Sequence, residues 1–260
     1  MPDRMHDAAA LLLRHWNKGT RLDALPEELR PATREEGYAL QAALAEVSGD
    51  ALYGWKIAAT SEAGQRHINV DGPLAGRLLS RCVIADGAMV SLVTNLMRVA
   101  ELEFAFRLGA DLPPRPETYT VDEVMAAVVT LHPAIEIPDS RFHDFTVVGA
   151  PSLIADNACA NLFLPSPGLA TAWREVDLAA YDVTAVVNRK ERHVGVGLNV
   201  LGDPRVALAW LVNEVTSLGL PVQVDQMVTT GTCVTPIAVA PGDEVRGDWG
   251  AFGTLSVRFA

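Results

Sequence analysis

Two glutamates one residue apart, Glu101 and Glu103, stand in the stretch Val99-Ala100-Glu101-Leu102-Glu103-Phe104-Ala105-Phe106-Arg107-Leu108. Drawn as a strand, it puts Leu102, Phe104, Phe106 and Leu108 on one face and both carboxylates on the other. Residues i and i+2 of a strand lie roughly 6.5–7 Å apart, so two ionised side chains there repel unless water solvates them or a cation is shared. A third acid, Glu136, sits in the apolar run Pro133-Ala134-Ile135-Glu136-Ile137-Pro138, where burying an unpartnered carboxylate is costly. Three carboxylates with no nearby Cys or His cluster form a donor set for a hard divalent cation, Mg²⁺ or Mn²⁺, rather than zinc. The same spacing also fits a solvated strand face, with Glu136 paired to an arginine.

A second group of candidates lies upstream. Lys56 stands among apolar and aromatic neighbours in Tyr53-Gly54-Trp55-Lys56-Ile57, where desolvation would lower its pKa and suit it to proton transfer. A lysine that snorkels to the surface has the same neighbours. Asp71, in the turn Asn69-Val70-Asp71-Gly72-Pro73, reads on its own as a turn-former.

These residues need elements to carry them. Ala9, Leu12, Leu13 and Trp16 recur at helical spacing from about Met5 to Lys18, and Thr33-x-x-Glu36 announces a second helix carrying Tyr38, Leu40 and Leu44. After Leu79 short apolar stretches, among them Ala100–Leu108, Ile135–Ile137, Val183–Val187 and Leu255–Phe259, predict strands. Thr120-x-x-Glu123 caps a helix expected to run towards Thr130, and Asp203-Pro204 opens one that stops at Gly219 with Ala207, Leu208, Leu211, Val212 and Val215 on its core side. The pattern predicts an α+β fold: residues 1–78 as a mainly helical N-terminal region, and residues 79–260 as a β-rich metal-binding body, together one structural unit.

Composition narrows the partners. In 260 residues, 32 acidic side chains against 21 basic ones leave a net charge of −11, which disfavours nucleic acid and anionic membranes. No apolar run approaches the roughly 18 residues of a spanning helix, and Ala8–Leu13 is too short for a signal peptide, so a cytoplasmic location is expected. Cys82, Cys159 and Cys233 lack paired spacing and read as reduced thiols. Gly195-Val196-Gly197 is not followed by glycine at the third position, so it does not meet the dinucleotide fingerprint.

Taken in order, several segments resemble the 2-keto-4-pentenoate hydratase family, which includes the 4-oxalocrotonate decarboxylases and belongs to the wider fumarylacetoacetate-hydrolase-like superfamily. They are Gly54-Trp55-Lys56-Ile57 with Thr60-Ser61, Val70-Asp71-Gly72-Pro73 leading to Gly76, Glu101-Leu102-Glu103, Ile135-Glu136-Ile137-Pro138, Ala155-Asp156-Asn157-Ala158, Gly202-Asp203-Pro204 and Thr230-Gly231-Thr232. The resemblance covers essentially the whole chain. Departures are Ala58 where relatives usually have glycine, Gly72 where an acid is frequent, and Cys159-Ala160 in place of serines. The resemblance implies a small helical part packed on a twisted mixed β-roll, with Mg²⁺ or Mn²⁺ held by Glu101, Glu103 and Glu136. It implies catalytic roles for Lys56 and Asp71, a substrate contact from Thr232, and a homo-oligomer.

The implied reaction is water addition to a 2-hydroxy-2,4-dienoate through a 2-oxo-3-enoate, giving a 4-hydroxy-2-oxo acid. The alternatives are decarboxylation of a 2-oxo-enedioate, for which Arg66, Arg77 or another arginine is a candidate partner of the distal carboxylate, and a non-catalytic relative that binds a 2-oxo acid. A C–C hydrolase would look to His67 as its base.

Overall fold

The Thr33 hydroxyl accepts the backbone N–H of Glu36, so the second helix starts where its capping spacing predicts. The structure, a computed structural model, describes residues 2–170 and 173–260. Helix α1 spans Pro2–Lys18, and α2 spans Arg34–Ser48 and ends on Gly49 in the left-handed region. Ala8, Ala9 and Leu12 share a small core with Leu40, Ala43 and Leu44, completed by Phe142 and Ala155.

The chain continues through β1 (Leu52–Ala58), α3 (Glu62–His67), β2 (Leu74–Leu79), β3 (Met89–Val90), β4 (Val99–Leu108), α4 (Val121–Ala127) and β5 (Val128–Ile137). Then come α5 (Gly149–Ala155), β6 (Leu162–Pro165), β7 (Asp182–Val187), β8 (Glu191–Val196), α6 (Pro204–Ser217), β9 (Met227–Thr232), β10 (Ile237–Ala238), β11 (Glu244–Asp248) and β12 (Thr254–Phe259). One sheet has the order β2-β1-β9-β4-β5-β6, with β10 paired to β4, and the other has the order β3-β12-β11-β7-β8. Both are mixed, since β1 and β9 pair parallel, as do β3 and β12, while the other pairings are antiparallel. The expected α+β class holds.

Phe104 and Phe106 of β4 are buried in the main core together with Leu208, Leu211 and Val212 of α6, which confirms both the even face of the strand and the apolar side of the helix. No described helix is long and apolar enough to cross a membrane.

One expectation needs correction. The helix capped by Thr120 ends at Ala127 instead of reaching Thr130, because the β-branched Val128, Val129 and Thr130 enter β5. Beside the helices of the N-terminal region, β1 and β2 form one side of the larger sheet. Gly54 makes that placement possible, because a Cβ there would stand 1.9 Å from the Met227 carbonyl oxygen on β9.

Candidate metal centre

Glu101 and Glu103 leave β4 on one face, and Glu136 of β5 is the direct register partner of Glu101. One ligand oxygen from each of the three lies within 4.8 Å of the other two. Glu103 and Glu136 are fully buried and Glu101 is partly exposed, so the trio is not a solvated strand face.

Strand β9 holds Glu103 in place. Oε2 accepts the Thr229 hydroxyl and, at 2.8 Å, the backbone N–H of Gly231. Gly231 has φ 100°, and a Cβ there would fall 2.1 Å from the Thr60 Oγ1, so only glycine fits this bulge. Oε1 of Glu103 and Oε2 of Glu136 are buried and accept no hydrogen bond. Buried carboxylate oxygens left without donors fit direct coordination of a cation. The electrostatics agree. Burial and the charge of Glu136 push the Glu101 carboxyl up to about 7. Burial, Glu136 and Glu101 hold Glu103 well above the usual carboxylate range, and burial raises Glu136 even though Lys56 works against it. A shared divalent cation removes both penalties.

Lys56 joins the trio from β1. Its Nζ lies 3.1 Å from Glu136 Oε1 and donates at 3.1 Å to the Ala158 carbonyl. Burial alone would lower its pKa, as expected from its neighbours, but Glu136, Glu101 and Glu103 outweigh burial and the pKa rises. That direction fits an ammonium paired with Glu136.

Other candidates fall elsewhere. Asp71 is exposed, and its carboxylate faces Arg34 at 3.5 Å instead of the trio. The structure thus places Asp71 at an exposed turn and does not bring it together with the trio. Thr232 is the register partner of Glu103, at the site, but its hydroxyl donates to the Val234 carbonyl. His67 is exposed on α3 beside Phe145. All three cysteines are free and buried, and burial pushes the Cys159 thiol up to about 12, far from a thiolate. Arg66 is exposed and paired with Glu62. Arg77 stacks on Trp55, the residue directly opposite it, and therefore lies on the face of β1 and β2 away from Lys56. A cavity of about 510 Å³ lies between Tyr53, Arg107, His132 and Asp225, and none of the trio lines it.

Sequence reasoning did not find Thr229 and Gly231 as the donors to Glu103, or the Ala158 carbonyl as an anchor for Lys56. Gly231 lies in Thr230-Gly231-Thr232, where the resemblance implied a role for Thr232 alone, Ala158 lies in Asp156-Asn157-Ala158, to which no role was implied, and Thr229 lies outside both.

No protein-family model matches the chain. It is 32% identical to the 2-keto-4-pentenoate hydratase 1 of Dechloromonas aromatica (strain RCB) over 97% of this chain and 96% of that one. It is 33% identical to the 2-hydroxyhexa-2,4-dienoate hydratase of Comamonas testosteroni over 83% and 81% of the two chains. Among solved structures, the 4-oxalocrotonate decarboxylase of Pseudomonas putida G7, complexed with magnesium and adipate, superposes with a TM-score of 0.90 at 25% identity, covering 100% of this chain and 98% of that one. With its carboxylate trio in register and this likeness spanning nearly its full length, the chain belongs to the 2-keto-4-pentenoate hydratase family.

Proposed function

We propose that the protein is a divalent-metal-dependent hydro-lyase that adds water to a 2-hydroxy-2,4-dienoate and releases a 4-hydroxy-2-oxo acid. The observation that carries this reading is the convergence of Glu101, Glu103 and Glu136 beside the buried ammonium of Lys56. The three glutamates would hold Mg²⁺ or Mn²⁺. When bound, the ion supplies Lewis-acid stabilisation of the charge that develops on a 2-oxo acid during enolisation.

The chain's own groups account for the rest. Glu103 presents one free oxygen because Thr229 and Gly231 hold the other. Lys56 keeps a proton at Nζ close to the trio, suited to donation and to compensating developing negative charge. Ketonisation moves the 2-hydroxyl proton to C5 of the dienoate. Water then adds across C3 and C4, its oxygen to C4 and its hydrogen to C3.

Decarboxylation is the second reading, favoured by the likeness to the 4-oxalocrotonate decarboxylase. It asks for a cation near the distal carboxylate of the substrate. Arg66 pairs with Glu62 and Arg77 lies across the sheet from Lys56, so neither candidate supports it. Dienol monoacids and diacids, assayed in parallel for water addition and CO₂ release with magnesium present, test the choice. Water addition to the monoacid is expected, and CO₂ release from the diacid alone would replace this reading. A cytoplasmic homo-oligomer belongs to the same proposal: the location, with which the free, buried thiols are consistent, is tested by cell fractionation, and the assembly by light scattering.

A further inference from the structure

Asn157, Ala158 and Cys159 occupy the left-handed backbone region in succession, with φ of 57°, 49° and 61°. None is glycine, and residues held there cost of order 1–2 kcal/mol each, so the surrounding contacts must over-determine the turn. On its N-terminal side Asp156 is buried. It accepts the Arg141 guanidinium, the Arg141 backbone N–H at 3.0 Å and the Ser140 hydroxyl at 2.7 Å.

The other fastening is Asn157 itself. Its Oδ1 accepts the Arg77 backbone N–H at 2.7 Å, and its Nδ2 donates to the Arg77 carbonyl at 2.8 Å. Strand β2 ends the larger sheet, so this one carboxamide makes the pair of bonds that a further strand would make. The turn is pressed against β2 at the neighbouring residue too, where a Cβ on Gly76 would stand 2.5 Å from the Asn157 carbonyl oxygen and 3.0 Å from Lys56 Cγ.

The next residue, Ala158, offers the carbonyl that accepts Lys56 Nζ. The ammonium thus has one anchor on β5, Glu136, and one on the turn. The Ala158 carbonyl alone accepts a hydrogen bond from the ammonium among the described residues, while Glu136 Oε1 is an ion-pair contact, which leaves N–H capacity free. No hydrogen bond links Asn157 to any of the three glutamates among the described residues, so its effect on them is indirect.

We propose that Asn157 is a positioning residue for the reaction. By binding the left-handed turn to the edge of β2, it fixes the Ala158 carbonyl and so aims the free N–H of Lys56 at the substrate. The inference rests on the role given above to Lys56. A misplacement of about 1 Å in such a group costs on the order of 100-fold in rate.

The test compares N157G and N157D, both of which tolerate a left-handed φ, with K56A and the double variant K56A/N157G. Steady-state kinetics use 2-hydroxypenta-2,4-dienoate, and magnesium affinity is measured separately by calorimetry. N157G is expected to lower kcat by about 10–100-fold, with KM and magnesium affinity within about threefold of the parent. In the K56A background the same change is expected to alter the residual kcat less than about twofold, because groups acting through one another are not additive. N157D serves if N157G does not fold, and loss of folding in both overturns the proposal in favour of a purely structural role. So does an additive double variant, a kcat unchanged in N157G while K56A is inactive, or magnesium binding lost together with kcat. Full activity in K56A overturns the reading of Lys56 and this inference with it, and leaves the metal centre standing.

Discussion

Glu101 and Glu136 are direct partners across the antiparallel pairing of β4 and β5. Like charges directly opposite on one sheet face destabilise that pairing. Here the second glutamate is fully buried, and Glu103 adds a third carboxylate two residues along. The sheet carries a local charge cost that a shared cation converts into binding energy.

Removing one member of the trio should therefore remove the metal. E103A is expected to weaken magnesium binding by at least about 100-fold and abolish turnover. T229V, which deletes a hydroxyl that holds Glu103, should cost about 10–100-fold in affinity. Calorimetric titration with magnesium checks both, and full activity of the parent protein in excess chelator would contradict the metal centre.

The raised carboxyl pKa values have a definite sign. Without metal, the folded chain binds more protons than the unfolded chain between the ordinary 4.5 of Glu101 and its folded value of about 7. The stability contribution is complete below the unfolded value and is lost as pH rises through the folded one. Unfolding by urea should accordingly show the metal-free protein losing stability from pH 4.5 to 7. Magnesium must displace those protons, so its affinity should climb over the same range. Metal-free stability that rises across this interval would refute the assignment.

Gly76 lies beneath Lys56, with room for no side chain. In G76A the new methyl meets the Asn157 carbonyl oxygen and the Lys56 stem. The expected result is a kcat lowered about tenfold or more with magnesium affinity retained, and a stability cost of about 1–3 kcal/mol in thermal unfolding. Unaltered kinetics would show that Lys56 is not held as tightly as described.

Asp71 should be dispensable. It is exposed and meets only Arg34 among the described ion pairs. D71N is expected to keep kcat within about twofold and stability within about 0.5 kcal/mol. A collapse in kcat with the fold intact would restore the catalytic role that its motif implies.

Asp156 and Arg141 form a buried pair whose other polar atoms are also bonded. D156A leaves the guanidinium buried without its carboxylate, and a loss of about 3–5 kcal/mol is expected from denaturant unfolding. A loss under about 1 kcal/mol would mean that the turn beside Lys56 is held by other contacts.

The sequence by itself determined the faces of β4, because strand alternation is local: Leu102 and Phe104 on one side imply Glu101 and Glu103 on the other. Caps were equally local, as at Thr33 and Asp203, where a side chain needs only a backbone N–H two or three residues away. Ordered motifs along the chain sufficed for the family. The length of the helix after Thr120 was misjudged because a cap marks where a helix begins and not where β-branched residues draw it into a sheet. Only the tertiary structure decided that Glu136 falls opposite Glu101, since register depends on how two strands, Val99–Leu108 and Val128–Ile137, slide past each other. It also decided where Lys56 and Asp71 stand. Their motifs look equally chemical, but one side chain points into a buried cluster of charge whose summed field reverses the expected pKa shift, and the other points at solvent. Fields of that kind come from distances between residues remote in sequence, which no local pattern encodes.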